Sequence, residues 1–195
     1  MSTITFALGK GRLAEETFAL LEKLGITFPE YSTKSRKLIF PSADHSVEVV
    51  LVKATDVDIY VANGATDMGV VGKDTLMESH ADVYEMMDLG FGKCRFAVAM
   101  PKDKELNPSK KLVVATKYPN VAKEYYSAKG MSIELIKLNG SVELAPIVGM
   151  SDVIVDIVET GSTLKAHNLH VVEEICPISA RLIVNKASLR TKSQE

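Results

Sequence analysis

Asp152-Val153-Ile154-Val155-Asp156-Ile157-Val158-Glu159-Thr160-Gly161-Ser162-Thr163-Leu164 is the stretch whose reading decides the fold. Val153 to Val158 reads as a buried strand, apolar but for Asp156. The chain then breaks at Thr160-Gly161-Ser162-Thr163 and resumes as a helix at Leu164. Strand, turn and helix in succession are the unit of an α/β fold. The turn gathers backbone N–H groups, three hydroxyls and a helix N-terminus at one point, which suits a phosphate. Asp156 and Glu159 stand beside it as acceptors for sugar hydroxyls, so the stretch points to a sugar phosphate. The plainer reading is an ordinary strand-to-helix turn with Ser162 as the N-cap. Asp156 weighs against it, because an acid inside a β-branched apolar run is costly unless partnered. A structural hydrogen bond would also partner it.

The same alternation recurs outward from this stretch. Strands are expected at residues 4–8, 38–40, 47–52, 68–71, 83–87, 94–100, 112–116, 133–136, 171–175 and 181–184. Leu13, Thr17, Leu20, Leu21 and Leu24 mark one face of a helix that Gly25 ends. Thr55-Asp56-Val57-Asp58 resembles a capping box, opening a helix closed by Gly64. Pro119 opens a further helix that Gly130 terminates. The expected fold is therefore α/β with mainly parallel sheets. The pattern restarts at Leu112 after a long Gly-containing stretch, 88–101, so two lobes joined by crossing strands are expected. Lobe I takes residues 1–90 plus 179–195, and lobe II takes 91–178. Open α/β sheets bind ligands at the carboxyl ends of their strands, which places the site in a central cleft. The tail, 188–195, is polar and expected to fray.

Composition sets the bounds. The chain has 195 residues, 46% hydrophobic and 25% charged, with a net charge of −2. No global basic field points to nucleic acid, so an anion site must be built locally from a few cations. No apolar run approaches the roughly 18 residues of a membrane span. The N-terminus lacks the basic region and apolar core of a secretory signal. Cys94 and Cys176 are far apart in sequence, match no metal or redox spacing, and read as buried reduced thiols. His167 and His170 have no third ligand nearby, and no protein metal site is expected. A cytoplasmic, soluble protein is the expectation.

Four loops fall at carboxyl ends of expected strands. Gly9-Lys10-Gly11-Arg12 offers close backbone approach and two cations before a helix, suited to a pyrophosphate or triphosphate. Its alternative is a glycine turn with solvated side chains. Lys53-Ala54-Thr55-Asp56 again sets a cation before a helix start, and a capped surface helix is its alternative. Gly72-Lys73-Asp74 is similar in form. The fourth is the Thr160 loop, with Glu143 as a further polar group or as favourable charge at a helix N-terminus.

Taken together these residues resemble the ATP phosphoribosyltransferase family. The run Glu143-x5-Gly149-x-Ser151-x2-Ile154-x-Asp156-Ile157-x2-Thr160-Gly161-x-Thr163-Leu164 fits the family signature. The resemblance extends to Lys10-Gly11-Arg12-Leu13, Ser35-Arg36-Lys37-Leu38, Asp67 to Asp74, Ala115 to Pro119 and Asn168-x-Leu. It implies a two-lobed fold of the periplasmic-binding-protein type II class, without the C-terminal regulatory domain of the family's long members. The implied reaction transfers the 5-phosphoribosyl group of phosphoribosyl pyrophosphate (PRPP) to N1 of the adenine of ATP, the first step of histidine biosynthesis. Lobe II would then carry the phosphoribosyl-binding loop. Thr160, Gly161, Ser162 and Thr163 would hold the 5′-phosphate, and Asp156 and Glu159 the ribose. Lys10, Gly11, Lys73 and Glu143 would serve ATP or pyrophosphate, with Arg12, Lys53 and Arg36 as the catalytic cations. Mg2+ would be carried by the substrate phosphates. Short forms work with a regulatory subunit similar to histidyl-tRNA synthetase, typically in a hetero-octamer. Gly9 stands where the family usually has proline, which is expected to loosen the loop. Lys53 replaces a common arginine and Asp58 a frequent proline. The competing reading is a non-catalytic two-lobed binding module.

Overall fold

The apolar runs pair into two sheets in the computed structural model, which describes residues 3–192. In chain order the elements are β1 (Ile4–Gly9), α1 (Arg12–Lys23), β2 (Ile39–Pro41), β3 (Val47–Val52), α2 (Val57–Ala62), β4 (Met68–Gly72), α3 (Lys73–Ser79), β5 (Tyr84–Asp88), β6 (Cys94–Pro101), β7 (Leu112–Thr116), α4 (Pro119–Ala128), β8 (Ile133–Lys137), α5 (Leu144–Ile147), β9 (Val153–Val158), α6 (Ser162–Ala166), β10 (Leu169–Ile178), β11 (Ala180–Val184) and α7 (Lys186–Thr191). Met1–Leu76, His80–Gly92 and Ser179–Glu195 form one unit, and Met77–Ser79 with Lys93–Ile178 the other.

The first unit holds the sheet β2-β3-β1-β4-β11-β5, and the second the sheet β10-β6-β9-β7-β8. Only β1 with β3 and β4, and β7 with β8 and β9, pair in parallel. All other pairings are antiparallel. The sheets are thus mixed, not mainly parallel as expected. The cause is topological: β10 runs back beside β6, and β11 is inserted between β4 and β5.

Period-two alternation builds both cores. In the first unit Phe6, Leu8, Val49 and Val70 face α1, while Ala7, Val71 and Ile183 face α2. Helix α1 buries Ala14, Thr17, Phe18 and Leu21. Leu24, expected on that face, lies past the helix and is 69% exposed. Phe18 stacks on Tyr31, ring centroids 3.6 Å apart. Gly9 is not a loose point. It pairs with Val52 inside the β1–β3 ladder, and a Cβ there would lie 2.7 Å from the Ala54 Cα. The glycine lets the following turn close over the strand end.

Two local expectations fail. The capping box at Thr55 is not made. A 3-10 turn, Ala54–Asp56, leads into α2, and the Asp56 side chain makes no cap hydrogen bond. Asp58 is instead buried, 1% exposed. Its Oδ1 accepts from Ile59 N at 2.9 Å, while its Oδ2 has no hydrogen-bond partner among the described residues. The tail does not fray from Ser188, because α7 continues to Thr191. Asn185 caps it by accepting from the Ala187 and Ser188 N–H groups, both at 3.0 Å. Ser188 Oγ and Lys192 Nζ then donate to Asp67 at 2.6 and 2.9 Å. The rest of the expected fraying, at 193–195, lies outside the described residues.

In the second unit Phe96, Val98, Val114 and Val155 pack on α4, and Ala97, Ile154 and Val158 on α5 and α6. The Thr116-Lys117-Tyr118-Pro119 motif is structural at its first position. Thr116 Oγ1 donates to Val155 O at 2.6 Å and accepts from Tyr118 N at 2.8 Å. Pro119 then occupies the first turn of α4, whose leading N–H groups at Asn120 and Val121 donate to the Glu78 carboxylate at 2.9 and 3.1 Å. Cys94 and Cys176 are both thiols, half-buried rather than fully buried. They lie on adjacent strands, because Cys94 pairs with Ile178 and Cys176 with Phe96.

Candidate functional site

Strand β9 ends at Val158, and the polar loop follows at the carboxyl edge that β9 shares with the parallel strands β7 and β8. Gly161 is the N-cap of α6, at φ 77°. This left-handed conformation favours glycine, which has no Cβ to crowd the backbone. Ser162 is therefore the first helical residue, not the N-cap of the plain reading. A glycine cap has no side chain to cover the first-turn N–H groups of α6; the Thr160 hydroxyl takes that of Ser162, and those that follow can meet an incoming anion. Thr160 Oγ1 lies 3.0 Å from Ser162 Oγ and accepts from Ser162 N at 3.3 Å. Thr160, Ser162 and Thr163 are all exposed. A helix start with three reachable hydroxyls can hold a phosphate.

Asp156 is half-buried rather than buried, so the argument from burial cost does not apply to it. Its Oδ1 accepts from Ile157 N at 2.8 Å. Glu159 is exposed, and its carbonyl receives Arg95 Nη1 at 3.4 Å. Glu143, half-buried, leads into α5 in the segment after β8. Lys117, following β7, adds an exposed cation at the same sheet edge. Sequence reasoning quoted that lysine in a motif without giving it a role. Its place between the ends of β9 and β8 follows from the sheet order alone.

In the first unit the parallel strands β3, β1 and β4 lie side by side. Their carboxyl ends therefore bring Lys53, Lys10 and Lys73 to one edge of the sheet. Lys10 N donates to Val52 O at 3.1 Å, joining two of the loops. Arg12 opens α1, with Nε 3.6 Å from Glu16 Oε1. That solvent-exposed pair is worth about 0–1 kcal/mol and can be exchanged for a ligand. Lys73 is differently placed. Its Nζ lies 2.5 Å from Glu85 Oε2. Glu85 also takes Arg181 at 3.3 Å, and Arg181 holds Asp88 at 3.2 Å. The Lys73 charge is thus compensated internally, whereas Lys10 and Lys53 are exposed cations.

A cavity of about 260 Å3 adjoins the Lys10 loop, lined by Lys10, Gly11, Tyr31, Ser32, Ser35 and Lys37 among others. Ser32 and Ser35 are hydroxyl donors that sequence reasoning did not select. Lys37, not Arg36, lines the cavity. Arg36 is exposed in the segment between α1 and β2. Lys37 also pairs with Glu30, and that hydrogen bond holds the Glu30 carboxyl below its usual range.

Among the described residues no group of three His, Cys, Asp or Glu converges to hold a metal ion. No helix of the described residues is long and apolar enough to cross a membrane.

Known proteins supply an independent comparison. A family model described as HisG, ATP phosphoribosyltransferase, matches residues 53–195. The ATP phosphoribosyltransferase of Oceanobacillus iheyensis is 51% identical over 195 residues, covering 100% of this chain and 94% of that relative. The protein of the same name in Clostridioides difficile is 54% identical over 196 residues, with the same coverage. Among solved structures, the ATP phosphoribosyl transferase (HisG:HisZ) complex from Thermotoga maritima matches with a TM-score of 0.85 and 37% identity, over 98% of this chain and 92% of that one. A histidine kinase sensor domain with similarity to periplasmic binding proteins matches at a TM-score of 0.59 and 14% identity, covering 98% of this chain and 92% of that one. That likeness concerns the fold alone, and it agrees with the periplasmic-binding-protein class implied by the family resemblance.

Proposed function

The chain belongs to the ATP phosphoribosyltransferase family, and we propose how its own residues carry that family's reaction. The enzyme is a pentosyltransferase. It transfers the phosphoribosyl group of PRPP to N1 of the adenine of ATP with release of pyrophosphate, the first step of histidine biosynthesis. The adenine nitrogen attacks ribose C1 with its own lone pair, the C1–O bond to pyrophosphate breaks, and the electron pair leaves with pyrophosphate. No strong general base is required. Catalysis rests on positioning two substrates and stabilising the leaving group.

The observation that carries the site assignment is the Gly161-capped start of α6 with three exposed hydroxyls around it, Gly161 lying three residues past the end of the strand that bears Asp156. Thr160, Gly161, Ser162 and Thr163 bind the 5′-phosphate. Asp156 and Glu159 accept from the ribose hydroxyls. Lys10, Gly11, Arg12 and Lys53, with Arg36, face pyrophosphate or the ATP phosphates. Lys73 contributes less directly, since Glu85 already holds it, and Glu143 lies at the sheet edge that bears the phosphoribosyl loop. The phosphoribosyl loop belongs to lobe II in this reading.

Members of this family use a metal ion, and Mg2+ is the ion proposed here. Asp156 and Glu159, carboxylates beside the phosphate loop, are oxygen donors of the kind that suits Mg2+ arriving on substrate phosphates with part of its water shell. When bound, it neutralises charge on the pyrophosphate. The partner is a regulatory subunit similar to histidyl-tRNA synthetase, in a hetero-octamer, as the Thermotoga structure is of a HisG:HisZ complex. The chain is read as the short form, working in the cytoplasm.

Pyrophosphate release from ATP, PRPP and Mg2+, with and without the synthetase-like subunit, tests this reading. Strong release with the subunit and little without it is expected. Full release from the chain alone would overturn the dependence on a partner. No release in either case from folded components would favour a binding module.

A further inference from the structure

Arg95 lies on β6, in the interior of the second unit's sheet, between β10 and β9. The register sets Glu174 of β10 and Asp156 of β9 on either side of Ala97. Side chains directly opposite across a ladder share a face. Two residues along, Arg95 points to that same face, diagonal to both acids. Ala97 has only a methyl group there, so the space between the two carboxylates is open to the guanidinium. Arg95 Nε lies 2.6 Å from Glu174 Oε1, although its N–H is not aligned on a hydrogen-bond acceptor. The attraction is therefore chiefly coulombic. Arg95 Nη1 reaches the carbonyl of Glu159 at 3.4 Å. That carbonyl immediately precedes Thr160, the first residue of the phosphate loop.

We propose that Arg95 is a positioning residue for the phosphoribosyl site. Clamped by Glu174 on one side, its fork fixes the carboxyl end of β9 on the other. It steadies the Glu159 carbonyl, from which the Thr160 loop departs, and sets a fixed positive charge beside the Asp156 carboxylate. Arginine suits this role because its planar fork can serve a carboxylate and a carbonyl at once, which a lysine cannot match. The inference rests on the assignment of PRPP to this loop.

The test compares the wild-type chain with Arg95→Met, Arg95→Lys and Glu174→Gln, each with the synthetase-like subunit present. PRPP and ATP affinities are measured by titration calorimetry, thermal unfolding is followed in parallel, and pyrophosphate release gives kcat and KM. Misplacing reacting groups by an ångström costs up to about a hundredfold. Arg95→Met should therefore weaken PRPP binding by about tenfold or more and lower kcat/KM for PRPP. ATP affinity and melting temperature should be unchanged. Arg95→Lys should recover part of the loss, and Glu174→Gln should show a smaller loss of the same kind. Unchanged PRPP affinity in Arg95→Met overturns the proposal and leaves the site assignment standing. Equal losses of ATP affinity and thermal stability show a merely structural role and also overturn it. A wild-type complex that binds no PRPP removes both the site assignment and the proposal.

Discussion

Asp67→Ala should destabilise the first unit strongly. Asp67 is 8% exposed and collects four hydrogen bonds. Its Oδ2 accepts from Thr5 N at 2.9 Å, Thr5 Oγ1 at 3.0 Å and Lys192 Nζ at 2.9 Å. Its Oδ1 accepts from Ser188 Oγ at 2.6 Å. The carboxylate thereby ties β1 to α7. A hydrogen bond to a charged group contributes a net of about 1.5–3 kcal/mol when shielded, and breaking a shielded charged network costs about 3–5 kcal/mol. Discounting the partly exposed lysine leaves a loss of about 3–4 kcal/mol. With an m of about 2 kcal/mol per molar, the urea midpoint followed by circular dichroism should fall by about 1.5–2 M. The dependence on pH has a definite sign. Burial raises the Asp67 carboxyl, but the bonds from Ser188, Lys192 and Thr5 outweigh it and hold the group below its ordinary value. Its stabilisation is therefore fully present above the unfolded carboxylate pKa of about 4 and is lost as pH falls through the lower folded value. The gap between wild type and variant should hold from neutrality down to about pH 5 and close in stronger acid. A midpoint shift under about 0.5 M at pH 7, or a gap that widens in acid, would refute the reasoning.

Two further substitutions separate function from stability. Asp156→Ala should lower pyrophosphate release by about a hundredfold or more, while the melting temperature stays within about 2 °C, since the side chain is only half-buried. Normal turnover in that variant would remove Asp156 from the site. Asp58→Ala should change stability by less than about 1 kcal/mol, because loss of the bond from Ile59 N is offset by removal of a buried oxygen that has no partner among the described residues. A loss above about 2 kcal/mol would show that the carboxyl is held by more than that bond.

Much of this architecture could be read before any coordinates. Largely apolar runs at β1, β3, β4, β6, β7 and β9 mark strands, and Pro119 and Gly130 bracket α4. The strand, turn and helix around Thr160 were legible because they are contiguous in sequence. Strand direction was not, since burial patterns a run equally whichever way its neighbour points. Helices α3, α5 and α6 are seven, four and five residues long, too short for a 3.6-residue period to emerge. The cysteine neighbours, and the Glu174–Arg95 pair, depend on register between strands distant in sequence. Asp58 looked like a capping residue because local chemistry favours that use, and tertiary packing overrode it. Of the candidate cations, Lys10 and Lys53 could be located from strand ends alone. Compensation of Lys73 by Glu85 depends on β5, which follows it after a helix and a turn.

The position of β11 between β4 and β5 bears on how the chain is made. Residues 93–178 are contiguous apart from the short Met77–Ser79 segment already synthesised, so a nascent chain can assemble the whole second sheet once β10 has left the ribosome. The first sheet waits longer, although four of its strands precede the second unit's strands in the chain. Until residues 180–184 emerge, β4 lacks one neighbour and β5 has none within its sheet. The unit whose strands emerge before those of the other is therefore the last to close. The exposed apolar residues of β5, Met86 and Met87, are an aggregation hazard for a stalled or truncated product during that interval.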